Sequence, residues 1–497
     1  MFKNFPGYKL LEKIQKSNSH KRERKLPLNA IKLIFIVAIT SVIALLPTES
    51  FGIEGLTVVH QRIISLFVFA ALMWLTEAMP SWVTSMIVVT IMLLTVSTSA
   101  FNFLRPEDGA GLVPFKSIMA CFANPTIMLF IGGFVLAIGL TKVKLDVALA
   151  RVLLKPFGTR SEIVLLGFIL VTAIFSAFVS NTATAAMMLA FLTPVLKSLP
   201  ADGKGRIALA LAIPVGANLG GMITPIGTPP NMIALDYLSS QGMGISFVDW
   251  TIKMAPFVIV LLLLSWLLLR ILFPFKQKHI KIEIEGEIKW NRHTWSVVAA
   301  FAITIFMWMF GTDLWGVDTN VVAMIPIAIF CATGILTRRD LEEINWSVLW
   351  MVAGGFALGV ALNYKDASSV SLSSLIVNTV PFDNFSPLVV MILAGVICFG
   401  FSNFISHSAA TSLLVPVLGV VAGGLGSSLD SFGGPQAMLV GIAIASSVSM
   451  ILPISTPPNA IAHSTGFIEQ KDMMKVGIII GLMGLALGYA MLIFIGF

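Results

Sequence analysis

Charge is what this 497-residue chain has least of: only 11% of its residues are Asp, Glu, Lys or Arg. A soluble protein of this size carries about 25%. With 57% hydrophobic residues and a mean hydropathy of +0.93, the composition excludes a soluble globular fold. It requires an all-α polytopic membrane protein with little soluble mass. Cysteine is scarce too. Cys121, Cys331 and Cys398 lie far apart, in or beside apolar segments. That spacing offers neither a disulfide framework nor a thiolate metal cluster, and the three read as small buried hydrophobes. The sequence has no HExxH pair, glycine-rich phosphate loop, nucleophile elbow or Walker motif, so neither an enzyme nor an ATP-driven pump has support in it. The net charge of +7 comes from basic residues flanking apolar spans rather than from a folded basic face, which argues against a nucleic-acid partner.

What charge there is collects at the start. Residues 1–28 carry Lys3, Lys9, Lys13, Lys16, Lys21, Arg22, Arg24 and Lys25, with no small-residue cleavage site after a short apolar core. They are expected to form a cytoplasmic basic arm of an integral protein of a bacterial-type plasma (inner) membrane. Apolar spans follow at 29–46, 63–78, 81–97, 126–141, 162–196, 206–235 and 253–273. These make a first half over 29–273. The charged stretch 274–293 is the one plausible linker. A second half over 294–497 has spans near 295–311, 319–336, 347–363, 387–419, 436–465 and 474–497.

The halves repeat. Gly132-Gly133-Phe134 returns as Gly354-Gly355-Phe356, 222 positions later. Ser180-Asn181-Thr182 returns as Ser406-His407-Ser408, 226 positions later, and Thr228-Pro229-Pro230-Asn231 as Thr456-Pro457-Pro458-Asn459, 228 positions later. Three matches in order at a nearly constant offset indicate duplication. The spacing alone leaves open whether the repeats are parallel or inverted.

The chemistry concentrates at two places in each half. The apolar stretches 162–196 and 387–419 are too long for one crossing and polar in the middle, which suits re-entrant helical hairpins. Hydroxyls and amides at the tip form a neutral anion site, helped by the N-terminal dipole of the returning helix. The same oxygens suit a hard cation such as Na⁺. The second place is the Pro-Pro break. Proline removes a backbone donor, and a helix broken at membrane depth is tolerated only in packed protein or beside a polar cavity. Paired breaks in corresponding places of two half-chains point to a transporter's binding site. Thr228 and Thr456 are candidate ligand contacts. Asn231 and Asn459 either contact ligand or bond the freed carbonyls. Thr184 and Thr411 are expected to join helices or cap the hairpin. Glu77 is expected at a helix end near the interface. His20, His60, His279, His293 and His463 are expected in solvated structural positions.

Taken together, the hairpin tips, the two Thr-Pro-Pro-Asn breaks and the early WLTEAMP segment resemble the divalent-anion/sodium symporter family of dicarboxylate and citrate carriers, over about residues 30–497. The resemblance implies two inverted repeats of about five to six transmembrane segments each. It also implies a scaffold, an elevator-type transport domain and a homodimer. It places Ser180, Asn181, Thr182, Thr228 and Pro229 at one carboxylate of the substrate, and Ser406, Ser408, Thr456 and Pro457 at the other. A sodium site falls on Ser176, Ser180, Asn181 and Gly227, and a pseudo-symmetric one on Ser402, Ser406, His407 and Ser455.

The departure is His407, where sodium-coupled members carry Asn. Neutral imidazole is a poor Na⁺ ligand and imidazolium repels the ion, so this site is expected to be lost or replaced by the charge of a protonated His407 beside the substrate. The reading is a secondary carrier of C4 and C5 dicarboxylates, such as succinate, malate and 2-oxoglutarate. It is favoured as an exchanger with little Na⁺ dependence over a sodium symporter, with no cofactor beyond a possible coupling Na⁺. A channel and an intramembrane enzyme are the remote alternatives.

Overall fold

The structure, a computed structural model, describes residues 26–496 apart from 108, 201–202, 281–289, 366–369 and 382–383. The basic arm therefore lies almost wholly outside the described residues, as does the middle of the charged linker, 281–289. Helices account for the described architecture, with two isolated backbone bridges, Ser97 to Val113 and Arg160 to His279. Nine helices among the described residues are long and apolar enough to cross a membrane.

Each half runs through the same succession of elements. In the first, helix Pro125–Lys142 precedes a hairpin of Ser161–Phe178 and Asn181–Ser198. A broken helix follows, Gly205–Gly220 then Pro229–Ser240, and Phe247–Leu272 ends the half. The second half repeats this order. Trp346–Asn363 leads to the hairpin Pro387–Phe404 and His407–Leu425. The broken helix is Gly434–Ser447 then Pro457–Ser464, and Gln470–Phe494 ends the chain. Ahead of these stand Val58–Thr76 and Ser81–Thr95 in the first half. Arg292–Trp315, Thr319–Val322 and Met324–Ala332 stand there in the second.

The halves interlock crosswise in two layers. In a scaffold layer, Pro125–Lys142 packs on Met324–Ala332 of the other half, and Trp346–Asn363 packs on Ser81–Thr95. The repeated Gly-Gly explains both contacts. A Cβ on Gly132 would meet the Ala323 Cβ at 2.7 Å, and one on Gly354 would meet the Ser85 Oγ at 2.7 Å. Small residues let helix backbones approach where lipid supplies no hydrophobic drive. In the hairpin layer, Pro229–Ser240 leaves its own half to pack on His407–Leu425 and Gly434–Ser447. Pro457–Ser464 does the reverse, on Asn181–Ser198 and Gly205–Gly220.

Two expectations are corrected. His60 is not solvated: it is 3% exposed and closes a capping box with Thr57 at the start of Val58–Thr76. Cys121 and Cys398 are buried, but Cys331 is exposed. Glu77 does sit at a helix end, in the left-handed conformation that stops Val58–Thr76.

Candidate functional site

The hairpin tips are short extended links, and each returning helix is capped by the tip serine. Ser180 Oγ accepts from the Ala183 N–H at 3.2 Å, and Ser406 Oγ accepts from the Ala409 N–H at 3.2 Å. Capping uses the oxygens of these serines and leaves their protons free. The hydroxyls of Ser180, Thr182, Thr228, Ser406 and Ser408 all lack an acceptor among the described residues. Thr456 Oγ1 accepts from the Asn459 N–H and from Asn218 Nδ2, both at 3.2 Å, so its proton is uncommitted as well. Six hydroxyl donors, divided between two helix N-termini and two helix breaks, suit an anion without supplying charge. Pro229 and Pro457 occupy the first helical position after each break, where the missing N–H costs nothing.

The asparagines of the breaks have a structural duty. Asn231 Nδ2 donates to Gly221 O at 3.1 Å and Thr224 O at 2.8 Å. Asn459 Nδ2 donates to Met450 O at 2.9 Å and Leu452 O at 3.0 Å. These are the carbonyls the breaks set free. Asn218, a residue that sequence reasoning missed, crosses between the halves and donates to Asn459 Oδ1 at 3.0 Å. Its one signal was a carboxamide inside the apolar run 206–220. Thr411 bonds the His407 carbonyl at 2.8 Å, whereas the buried Thr184 hydroxyl has no partner.

Behind the first tip, oxygens gather. Ser176 Oγ lies 2.6 Å from Asn181 Oδ1 and 2.7 Å from the Ala217 carbonyl, yet it has one proton for the two acceptors. A Cβ on Gly221 would come within 2.6 Å of Asn181 Oδ1 and 3.1 Å of the Gly227 carbonyl, so the Asn181 side chain rests on the glycine backbone of the break. Ser176 is fully buried. A small, proton-poor group of oxygens suits a hard cation.

The second tip is built differently. His407 Nε2 lies 2.6 Å from the Ser449 carbonyl. A carbonyl only accepts, so Nε2 carries the proton. At the offset of the breaks, Ser449 matches Gly221, and the imidazole N–H therefore stands where the first half offers an oxygen. The neighbouring oxygens also have their protons. Ser402 Oγ donates to Ser446 Oγ at 3.3 Å, which donates to the His407 carbonyl at 3.0 Å. Ser455 Oγ donates to the Asn403 carbonyl at 3.0 Å, and Asn403 Oδ1 accepts from the Ile451 N–H at 2.8 Å. Asn403 matches Ala177, so this polar replacement one residue after Ser402 was legible but unread.

A cavity of about 1150 Å³ lies between the layers. Asn124, Thr126, Asn320 and Asn363 line it from the scaffold side, and Asp236 and Ser412 from the hairpin side. It contains none of the tip hydroxyls. Its described lining includes two acids, Asp236 and Asp318, and no Lys or Arg. That lining disfavours a dianion in this space.

Hairpins paired across a duplicated fold and two broken helices are the architecture of a membrane transporter. The particular family is equally plain. The model of the sodium:sulfate symporter transmembrane region matches residues 28–496, and the chain belongs to that family. It is 31% identical to an uncharacterised transporter of Haemophilus influenzae, across 91% of this chain and 94% of that protein. It is 28% identical to the sodium-dependent dicarboxylate transporter SdcS of Staphylococcus saprophyticus, across 85% and 83%. Its identity to the inorganic phosphate transporter PHO87 of Saccharomyces cerevisiae is also 28%, over 90% of this chain but 47% of that protein. Among solved structures, the YdaH transporter of Alcanivorax borkumensis matches 88% of the chain and 99% of its own, with a TM-score of 0.52 at 12% identity. This is a likeness of fold.

Proposed function

We propose that this protein carries small C4 and C5 dicarboxylates, such as succinate, malate and 2-oxoglutarate, by alternating access. The supporting observation is the set of uncommitted hydroxyl protons, split between two pseudo-symmetric tips and breaks. Ser180, Asn181, Thr182, Thr228 and Pro229 would meet one carboxylate, and Ser406, His407, Ser408, Thr456 and Pro457 the other. Two separated donor groups suit a longer dianion better than sulfate or phosphate. The names of the SdcS relatives favour the same substrate class. In this reading the hairpin layer moves as an elevator against the scaffold, the repeats are inverted, and the protein works as a homodimer.

For coupling we favour exchange with little sodium dependence. The imidazole N–H at Ser449 fills the place of a second cation with a proton already bound to the protein. Sodium symport is the second reading. The proton-poor oxygens around Ser176 and Asn181 favour one retained Na⁺ there. Counterflow separates the two. Proteoliposomes are loaded with unlabelled diacid, and labelled diacid is offered outside with choline in place of Na⁺. Exchange predicts labelled uptake that requires internal diacid; uptake that needs Na⁺ and no internal diacid would sink it. His407→Asn is expected to restore an amide oxygen and introduce sodium-stimulated uptake, read as the ratio of rates in Na⁺ and choline.

A further inference from the structure

We propose that Asp236 is a proton-coupling carboxyl, which takes up and releases a proton through the cavity between the two layers. The inference rests on the transport reading above but adds a site outside the tips. Asp236 lies five residues beyond Asn231 on the half-helix Pro229–Ser240, and its carboxylate faces that cavity. Its described partners are neutral. Thr126 Oγ1 donates to Oδ1 at 2.8 Å, and the Asn124 side chain adds a second bond. A half-buried carboxyl that lines a cavity between apolar helices, with no cation among its described partners, is costly and marks a functional position.

The fold itself does not need the carboxyl. At the offset of 228 its counterpart is Ser464, whose hydroxyl bonds the Ile461 carbonyl of its own helix at 2.7 Å. The duplicated architecture therefore stands with a neutral group at this place. The cavity also has an unsatisfied polar atom of its own. Ser412 Oγ, on the second hairpin, lines it, is 1% exposed and has no partner.

The groups around Asp236 are few. The helices packed on Pro229–Ser240 are His407–Leu425, Gly434–Ser447 and Trp346–Asn363, and of their residues His407 alone titrates or carries charge. Helix Pro125–Lys142 supplies Thr126, with Lys142 at its far end bonded to Asp340. Tyr237, Cys121, Tyr364 and Asp318 complete the titratable lining of the cavity. Asp318 is engaged as a helix cap, accepting from the Asn320 N–H at 2.8 Å.

The step balances simply. The carboxylate takes a proton from hydronium in the cavity, leaving water and a neutral acid. It returns that proton to water when the cavity opens to the opposite side. Thr126 and Asn124 sit on the scaffold and Asp236 on the hairpin layer, so movement of one layer against the other breaks these bonds. A neutral acid leaves them at lower cost than a carboxylate.

The test uses labelled fumarate, which stays dianionic over the range, offered without Na⁺ to proteoliposomes loaded with unlabelled fumarate. Lowering the external pH by about one and a half units is expected to raise wild-type initial uptake about threefold or more. In Asp236→Asn and Asp236→Ser this ratio falls to near one, and Asp236→Glu keeps it. A ratio unchanged in both neutral variants overturns the proposal, as does a difference from wild type that follows Na⁺ instead of pH. If wild type moves no diacid, the dicarboxylate reading fails, and hydrogen exchange on the detergent-purified protein still decides Asp236. Corrected for intrinsic rates, protection of residues 229–240 should depend on pH in wild type and not in Asp236→Asn. Equal pH profiles in the two refute it.

Discussion

At the scale of single residues, this protein separates oxygen from proton with little use of charge. The two tips have the same capping serine, and one substitution changes what stands behind it. Asn181 brings an oxygen to the glycine backbone of its break, whereas His407 brings a proton to the matching carbonyl. Charge placed in the wrong setting has a measurable cost. Asp146, on the short helix Leu145–Leu154 between scaffold and hairpin, is 7% exposed. Burial raises its carboxyl to about 6, against bonds from the Val147 N–H and Thr141 that act to lower it. A carboxyl whose pKa is raised in the fold is tolerated when neutral. Its penalty grows as pH rises from about 4 to about 6 and is constant above that. Asp146→Asn is therefore expected to raise the melting temperature in detergent at neutral pH, by the equivalent of roughly 1–3 kcal/mol. The gain should vanish near pH 4, and melting scans across that range check it.

At the scale of elements, the broken helices show how two prolines survive in an apolar run. The prolines take the first turn of the second half-helix, where no N–H is required, and the freed carbonyls turn to one asparagine. Asn459→Leu removes that amide and leaves the Met450 carbonyl without a donor, while the Leu452 carbonyl keeps only the Ser455 N–H and the Asn218 amide keeps only Thr456 Oγ1. The expected cost is on the order of 3 kcal/mol, since each orphaned group contributes about 1–3. Asn459→Asp should lose nearly as much, because a carboxylate cannot donate to a carbonyl. A stability equal to wild type in both variants, by thermal unfolding, contradicts this account of the break.

At the scale of the whole molecule, the halves are exchanged rather than set side by side. Each second half-helix completes the other half's hairpin bundle, and Asn218 bonds across the exchange. The scaffold has its own tie. Lys142, at the end of the first half's helix, pairs with Asp340 and donates to the Ile335 carbonyl at 2.5 Å. Burial alone would raise the Asp340 carboxyl, but Lys142 and the Thr337 hydroxyl and N–H outweigh it and hold the group below its usual range. A depressed carboxyl contributes stability that is present above about pH 4 and lost as pH falls through the folded value. Asp340→Asn is thus expected to lower the melting temperature at neutral pH by several degrees, corresponding to roughly 1–3 kcal/mol. In acid the difference should close. A variant as stable as wild type at neutral pH would show that the tie carries no load.

The sequence by itself determined the membrane class, the duplication, the hairpins and the breaks. Each follows from local composition: apolar length, a polar tip between two apolar arms, a Pro-Pro pair that no helix interior accepts. The helices Ser161–Phe178 and Asn181–Ser198 fall almost where the run 162–196 and its polar middle put them. The carbonyl that receives the His407 proton, the half that receives each broken helix and the gathering of Asp236 with Thr126 were decided by tertiary structure alone. These pairs stand 42, at least 167 and 110 positions apart in the chain. No local pattern records such a meeting, because helices exchanged between two similar halves bury the same apolar faces whichever partner they take.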